Sequence, residues 1–335
     1  MANIPLTRSQ FLLPFVGILE EIGAPTNSLL EKFRLPPSME TKSDLYVPLL
    51  PAIRFINTAQ NSQDIEDFGF LASQRLHYSH LREKTRTLIA QSPTLLVALR
   101  HACNQASRED TVLSMWIEYD NDHVRVCSRL SDTSKLLHLE HAQWLQNIFS
   151  VYIVRQFAGP NWTPPVMAFE ARYTPSITTQ SYWPNVRFLA GQLASWITIP
   201  NSCLSLSNPS TELFSQPHAQ EDGHAGYDIA AILKLMLPSY LDGSVPTLAH
   251  VAEMAGVSTR TLQRKLADVD LAYSDLLDTV RFERSSSLLR DTDTKIIDVS
   301  FASGYSDPAH FSRAFRRISG VTPRQFREQS RLRKK

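Results

Sequence analysis

Cysteine is scarce in this chain of 335 residues: Cys103, Cys127 and Cys203 are odd in number, widely spaced and without a CxxC pair. That excludes a disulfide framework or a cysteine zinc finger as the organising device, and it suits a reducing cytosol. Long apolar runs are missing as well. The most apolar stretch near the start, Phe11 to Ile22, is interrupted by Pro14 and by Glu20-Glu21 and has neither a basic start nor a small-residue cleavage site. Neither a signal peptide nor a membrane span is expected. Excess charge of one sign is absent, since 34 Lys plus Arg face 33 Asp plus Glu. No GxSxG elbow, Walker A loop or GxGxxG after a strand occurs, so hydrolase, NTPase and dinucleotide chemistries lack their minimal parts. What is present, 43% hydrophobic and 20% charged residues, describes a folded chain of about two domains, each able to bury its own core.

The balanced total hides an asymmetry. Residues 245–335 hold 16 basic and 11 acidic side chains, against 18 and 22 in residues 1–244. A basic C-terminal quarter beside an acidic remainder points to a polyanion as partner for the end of the chain. Residues 207–226 carry two prolines, two glycines and few apolar side chains, too few to order themselves, and read as an exposed linker. The expected layout is therefore a regulatory domain over 1–206, a linker over 207–226, a second domain over 227–330 and a basic tail over 331–335.

Before the linker the apolar spacing predicts helices over Val47–Ala59, Leu81–Ile89, Pro93–Cys103, with Ser92-Pro93 as cap and first turn, and Leu136–Phe157. Alternation in Val112–Tyr119, the turn residues Asp120-Asn121-Asp122 and the run from His123 predict a hairpin. Val166–Tyr173 and Ser195–Ile199 are β-rich. The first domain is expected to be α+β, helical at its start and with a small sheet later. After the linker only short helical segments remain, namely Tyr227–Tyr240, Leu248–Ala255, Ser258–Ala267, Ser274–Leu289, Ile296–Ala302, Pro308–Ile318 and Thr322–Arg331, which predicts an all-α domain.

Two of its stretches carry the functional signal. In Val251 to Leu266 a helix ends at Ala255, Gly256 supplies a tight turn and Ser258 caps a second helix whose Leu262 and Leu266 face inward. This is a helix-turn-helix pattern. Arg260, Gln263 and Arg264 then fall on the opposite face, and arginine and glutamine are the side chains able to bond guanine and adenine edges in pairs. About fifty residues on, a helix ends at Gly304, Asp307 caps a helix begun by Pro308, and Phe311 and Phe315 supply the buried face. Ala309, His310 and Arg313 point outward. Arg284, Arg316, Arg317 and Arg324 are candidates for phosphate contact, and Arg281 for phosphate contact or internal bracing. Two such motifs joined by the helix Ser274–Leu289 would present two reading helices about one DNA turn, roughly 34 Å, apart.

These residues resemble the AraC/XylS family of bacterial transcriptional regulators. The resemblance rests on Ile297-Asp298-Val299, on the run from Gly304 to Phe315, on Gly320 to Pro323 and on Arg327, and in the first motif on Val257-Ser258, Leu262 to Arg264 and Arg281. It covers about residues 227–330 and implies a seven-helix double helix-turn-helix domain in which the exposed residues of the third and sixth helices read bases. The family's reading positions fall on Arg260, Gln263 and Arg264, then on Pro308, Ala309, His310 and Arg313. Arg281 stands where the family carries a structural ion-pair member. The chain departs from the pattern at Ser285 and Ser300, where alanine is usual and a hydroxyl can bond back to the carbonyl four residues earlier, and at Ser303, where leucine is usual and about 1–3 kcal/mol of apolar burial is forfeited.

The first domain is similar, over about residues 10–205, to the arabinose-binding-like effector half of one subgroup, on Ala24-Pro25, Leu29-Leu30, Tyr46 to Pro48, Phe68 to Leu71, Ser92 to Leu96 and Trp183 to Phe188. That resemblance implies small-molecule sensing and self-association. It leaves the effector unnamed. Double-stranded DNA, a small-molecule effector, RNA polymerase and a second copy of the chain are the expected partners of a cytoplasmic regulator, whether activator or repressor. The alternative reading is a ligand-binding or enzymatic first domain whose C-terminal helices serve protein contacts.

Other candidate chemistry is weaker. His77 with His80, and His138 with His141, place imidazoles three apart, within reach of one metal on a helix, but spacing fixes no third ligand. Arg82 and Arg86 form an RxxxR run able to grip a phosphate, a pattern more often a solvated helix face. Trp116, Tyr119, Trp144, Phe149, Tyr152 and Phe157 could line an effector pocket, though most are expected in the core. No catalytic residue, metal or cofactor is expected. The Pro-Cys-His setting of DNA-repair methyltransferases is absent around all three cysteines.

Overall fold

The computed structural model describes residues 4–37, 45–131, 138–209, 228–243 and 245–332. In chain order the elements are β1 (Leu6–Arg8), α1 (Leu13–Glu21), α2 (Thr26–Lys32), β2 (Tyr46–Pro48), α3 (Leu49–Gln63), α4 (Phe68–Ser73), α5 (Glu83–Ala90), α6 (Leu95–Glu109), β3 (Leu113–Tyr119), β4 (His123–Leu130), α7 (Glu140–Ala158), β5 (Val166–Ala168), α8 (Ile177–Tyr182), β6 (Arg187–Leu189) and β7 (Ser195–Pro200). Then come α9 (Ile229–Met236), α10 (Leu248–Met254), α11 (Thr259–Ala267), α12 (Tyr273–Asp291), α13 (Ile296–Ala302), α14 (Pro308–Ser319) and α15 (Pro323–Leu332). They gather into two compact units: a sheet unit of Gln10–Phe33 with Leu50–His224, and a helical unit of Met1–Ser9, Arg34–Leu49 and Ala225–Lys335.

The sheet unit is α+β. Its five strands run in the order β3-β4-β7-β5-β6, antiparallel except for β5 beside β6. The hairpin from Leu113 to Leu130 forms as expected, with Trp116 opposite Cys127 and Ile117 opposite Val126. Val124, Val126, Met167, Ile197 and Ile199 are buried, as is much of α7. Some of the polar groups that α7 takes into this core have partners, while both ring nitrogens of His141 find none among the described residues. Gln146 accepts from the Ser128 hydroxyl at 2.9 Å, and the Asn147 amide donates to the Ala168 carbonyl at 3.2 Å. Buried polar groups satisfied in this way cost little stability, whereas unpaired ones are expensive.

Several local readings shift. The run from Phe11 to Ile22, for which no helix was expected, holds α1, with Pro14 in its first turn where its missing N–H is not needed. Thr94, not Ser92, precedes the first turn of α6, because Thr94 holds the extended backbone that a helix start requires. Val47 belongs to β2 and the following helix begins at Leu49; the strand expected over Val166–Tyr173 stops at Ala168. Ser207 and Asn208 are tied to the sheet unit through a bridge to Thr94 and a 2.8 Å bond from the Asn208 amide to the Ala90 carbonyl. The rest of the expected linker, from Ser210, lies outside the described residues. Arg331 is the penultimate residue of α15 and pairs with Asp293, so it is not part of a tail.

The helical unit follows the expected series of segments, with one addition from the far end of the sequence. β1 and β2 pair antiparallel, Leu6 opposite Pro48 and Arg8 opposite Tyr46. Ile4, Leu6 and Tyr46 enter one core with Ile232, Leu233, Met236, Val251, Leu262, Leu266 and Val280. The Ser239 hydroxyl donates to the Tyr46 carbonyl at 2.5 Å, the Tyr240 hydroxyl donates to the Arg34 carbonyl at 3.0 Å, and the Arg34 guanidinium pairs with Glu253. A second core, of Leu289, Val299, Tyr305, Phe311, Ala314 and Phe315, gathers α12, α13 and α14, with Phe326 of α15 packed against it.

Candidate nucleic-acid interface

Each motif is built by the same local rules. α10 ends at Met254, Gly256 takes φ +62°, and the Ser258 hydroxyl accepts the Thr261 N–H at 3.2 Å to start α11. Side-chain caps of this kind satisfy donors that the first helical turn leaves open. Leu262 and Leu266 are buried at 0% and 2% exposure, so the period of the helix turns Arg260, Gln263 and Arg264 to solvent. In the second motif α13 leads to Gly304 at φ +80°, and the Asp307 carboxylate accepts the Ala309 and His310 N–H groups, both at 3.0 Å. The Ala309 bond first, and then the His310 bond, hold that carboxyl below the usual carboxylate range. Phe311, Ala314 and Phe315 are buried. Ala309, His310 and Arg313 are exposed, and Pro308 is half-buried.

The basic residues divide into two kinds. Arg316 is exposed and Arg284 half-buried. Arg317 pairs with Asp278 of α12, Arg324 with Glu328 at 3.1 Å, and Arg313 lies 4.0 Å from Asp307; apart from the less accessible Asp278, these are solvent-exposed groups, and such pairs exchange partners at little cost. Arg281 is a brace. Its guanidinium donates to the Gly304 carbonyl at 2.7 Å and lies 4.7 Å from the Tyr305 ring centroid, in place of the ion pair that the resemblance implied. Arg327 does similar work, donating to the Thr294 carbonyl at 2.6 Å. Sequence spacing offers no signal for either contact, because both cross between helices.

The three departures from the family pattern are also resolved. Ser285 and Ser300 donate to the carbonyls of Phe282 and Ile297, at 3.0 and 2.6 Å, three residues back and not four. Ser303 is fully buried, and its hydroxyl has no partner among the described residues.

The remaining candidates take ordinary places. His77 and His80 stack at 5.6 Å, and the His77 N–H donates to the His80 Nδ1 at 2.7 Å. His138 meets Glu140 at 3.1 Å, while His141 is buried beside Phe15 and Phe68 and burial lowers its pKa to about 4. Among the described residues no group of three or more His, Cys, Asp or Glu is placed to hold a metal ion. Arg86 donates to the Leu81 carbonyl at 3.1 Å. Trp144, Phe149 and Phe157 are core, Tyr152 donates to the Leu76 carbonyl at 2.8 Å, Trp116 donates to Glu118, and Tyr119 is exposed. Among the described residues no helix is long and apolar enough to cross a membrane.

Comparison with known proteins agrees with this geometry. Residues 251–329 match a family model described as a helix-turn-helix domain. The chain is 21% identical to the HTH-type transcriptional regulator VirS of Mycobacterium tuberculosis, over 96% of each chain. It is 30% identical to the HTH-type transcriptional regulator VqsM of Pseudomonas aeruginosa, over 38% of this chain and 40% of that one. Among solved structures, the transcriptional regulator CdpR from Pseudomonas aeruginosa is 18% identical, with 90% of this chain and 96% of that chain covered at a TM-score of 0.35. The protein is a DNA-binding transcriptional regulator of the helix-turn-helix class. Residues 251–329 are a helix-turn-helix domain of the kind carried by AraC-type regulators, with the pattern of that family running from Gly304 to Phe315 of the second motif.

Proposed function

We propose that the protein reads a bipartite duplex site, with α11 and α14 in two successive major-groove segments. The observation that carries this is the pair of capped helices: each buries an apolar face and presents bidentate or ring donors on the other, Arg260, Gln263 and Arg264 in α11, and His310 and Arg313 with Pro308 and Ala309 in α14. Arg284, Arg316, Arg317 and Arg324 supply phosphate contacts, the last two by exchanging an acidic partner for a phosphate. Arg264→Ala or Arg313→Ala is expected to cost about 1–3 kcal/mol at the cognate site and to relax base preference there. Equal losses on cognate and random duplex would reduce these arginines to phosphate clamps. Binding should also weaken steeply with log salt; a flat dependence would favour a protein-contact role for these helices.

The sheet unit, in this reading, binds a small apolar or amphipathic effector that shifts the DNA-competent population. The α+β architecture beside a DNA-binding unit supports it, and a thermal-shift screen over metabolites tests it, a silent screen counting against. Division of the chain into regulatory and DNA-binding parts, a homodimer, contact with RNA polymerase during activation and a cytoplasmic location complete the proposal. Two motifs in one chain already span a site of about 20 base pairs, so dimerisation is not required for the two half-sites.

A further inference from the structure

The turn between α13 and α14 is held from two sides. Gly304 adopts φ +80°, and a Cβ there would lie 3.1 Å from the Leu241 side chain and 3.3 Å from the Leu241 carbonyl oxygen, so the backbone passes close against the segment after α9. From the other side, Arg281 on α12 donates to the Gly304 carbonyl and covers the face of the Tyr305 ring. Tyr305 is 5% exposed. Its ring meets Phe311 at 5.4 Å and, nearly perpendicular at 78°, the His310 imidazole at 5.6 Å. The His310 backbone is itself fixed, because its N–H is bonded to Asp307.

An exposed imidazole on the first turn of a helix ordinarily samples several rotamers, and each sampled rotamer dilutes the one able to bond a base edge. Edge-to-face contact with a buried ring favours one rotamer over the others. We propose that Tyr305, locked by Arg281, is a positioning residue for base readout by His310. It sets the direction of the imidazole toward one base pair of the half-site that α14 covers. The role rests on the assignment of His310 as a base-reading residue, and it extends the determinants of specificity to the buried Tyr305 and the half-buried Arg281. Their arrangement also accounts for the placing of the half-buried Arg281 guanidinium on a carbonyl and a ring.

The test uses the full-length chain and a library of duplexes varied one base pair at a time around a selected site. His310→Ala identifies the base pair in question, at which discrimination of roughly tenfold is expected to fall to about twofold. Tyr305→Leu is expected to flatten preference at that base pair alone, leaving the half-site under α11 unchanged, and Tyr305→Phe to restore it. Should Tyr305→Leu not fold, Arg281→Gln, which keeps a donor for the Gly304 carbonyl but removes the guanidinium plane, is expected to give the same local flattening. In the His310→Ala background neither change should flatten that base pair further. Uniform weakening on every duplex with preferences intact would overturn the positioning role while leaving His310 as a reader. An unchanged profile for His310→Ala would overturn the base-reading assignment and the positioning role with it.

Discussion

The two helix-turn-helix motifs share a plan and differ in what completes them. The first draws on the far end of the sequence: Ile4, Leu6 and Tyr46 share the core of Leu262 and Leu266, and Glu253 of α10 holds Arg34. The second is built from neighbours in the chain, Leu289, Val299, Tyr305, Phe311, Ala314 and Phe315. Their turns differ correspondingly, since Gly256 has open space where a Cβ would stand and Gly304 has the Leu241 backbone. So do their caps, a hydroxyl at Ser258 and a carboxylate at Asp307. The comparison teaches that two motifs alike in pattern can depend on different parts of the molecule. The first motif is joined to the segments around residues 4–8 and 46–48, and the second draws its core from its own helices, with its turn at Gly304 set against Leu241.

The largest effect that would break this contrast is at Leu6. Leu6→Ala removes a fully buried side chain and is expected to cost about 2–5 kcal/mol. In native-state hydrogen exchange the amides of α9, α10 and α11 should lose protection while those of α14 keep theirs. Equal losses in α14 would show that the two cores are one cooperative body.

Next come the glycines. Gly256→Ala meets only the cost of a left-handed backbone, about 1–2 kcal/mol, whereas Gly304→Ala adds a steric conflict and should unfold the unit at clearly lower temperature. Similar melting temperatures for the two variants would remove the claimed difference between the turns. A smaller effect of opposite sign is expected at Ser303. Ser303→Ala deletes a buried hydroxyl that has no partner among the described residues and should stabilise the second motif by about 1 kcal/mol, as urea unfolding would report.

The caps sharpen the comparison through pH. The Asp307 carboxyl lies below its ordinary value because the charged form accepts two backbone N–H groups, so folding favours the ionised state. Its contribution is present above the unfolded value and is lost as pH falls through the lower, folded one. Amide resonances of Ala309 and His310 should therefore titrate below the usual carboxylate range, and the Thr261 amide, held by a hydroxyl, should not follow a cap titration. Matching titrations at both sites would point to a global acid transition instead.

Most of the helical unit could be read in the sequence, because its signals are local. Ser258, Asp307, Gly256 and Gly304 mark starts and turns, and the observed α10 to α15 fall within a residue or two of the expected segments. The outward faces of α11 and α14 followed from Leu262 and Leu266, and from Phe311 and Phe315, by helical period alone. What escaped was long-range. β1 and β2 are three residues each and lie some forty residues apart in sequence, too short for an alternation to show, so their union with the C-terminal core left no trace in the pattern. Bracing by Arg281 was one of the two roles open in the sequence, but its partners, Gly304 and Tyr305, escaped for the same reason: they are set by how α12 crosses the second motif. In the sheet unit, α1, α2, α4 and α8 escaped because they are short, and β6 because it is a three-residue edge strand.

The most direct measurement is a selection of full-length protein from a randomised duplex library with sequencing of the retained DNA. The account predicts an enriched pair of distinct half-sites about 10 base pairs apart, one read by α11 and one by α14. Enrichment of a single half-site, or none, would contradict it.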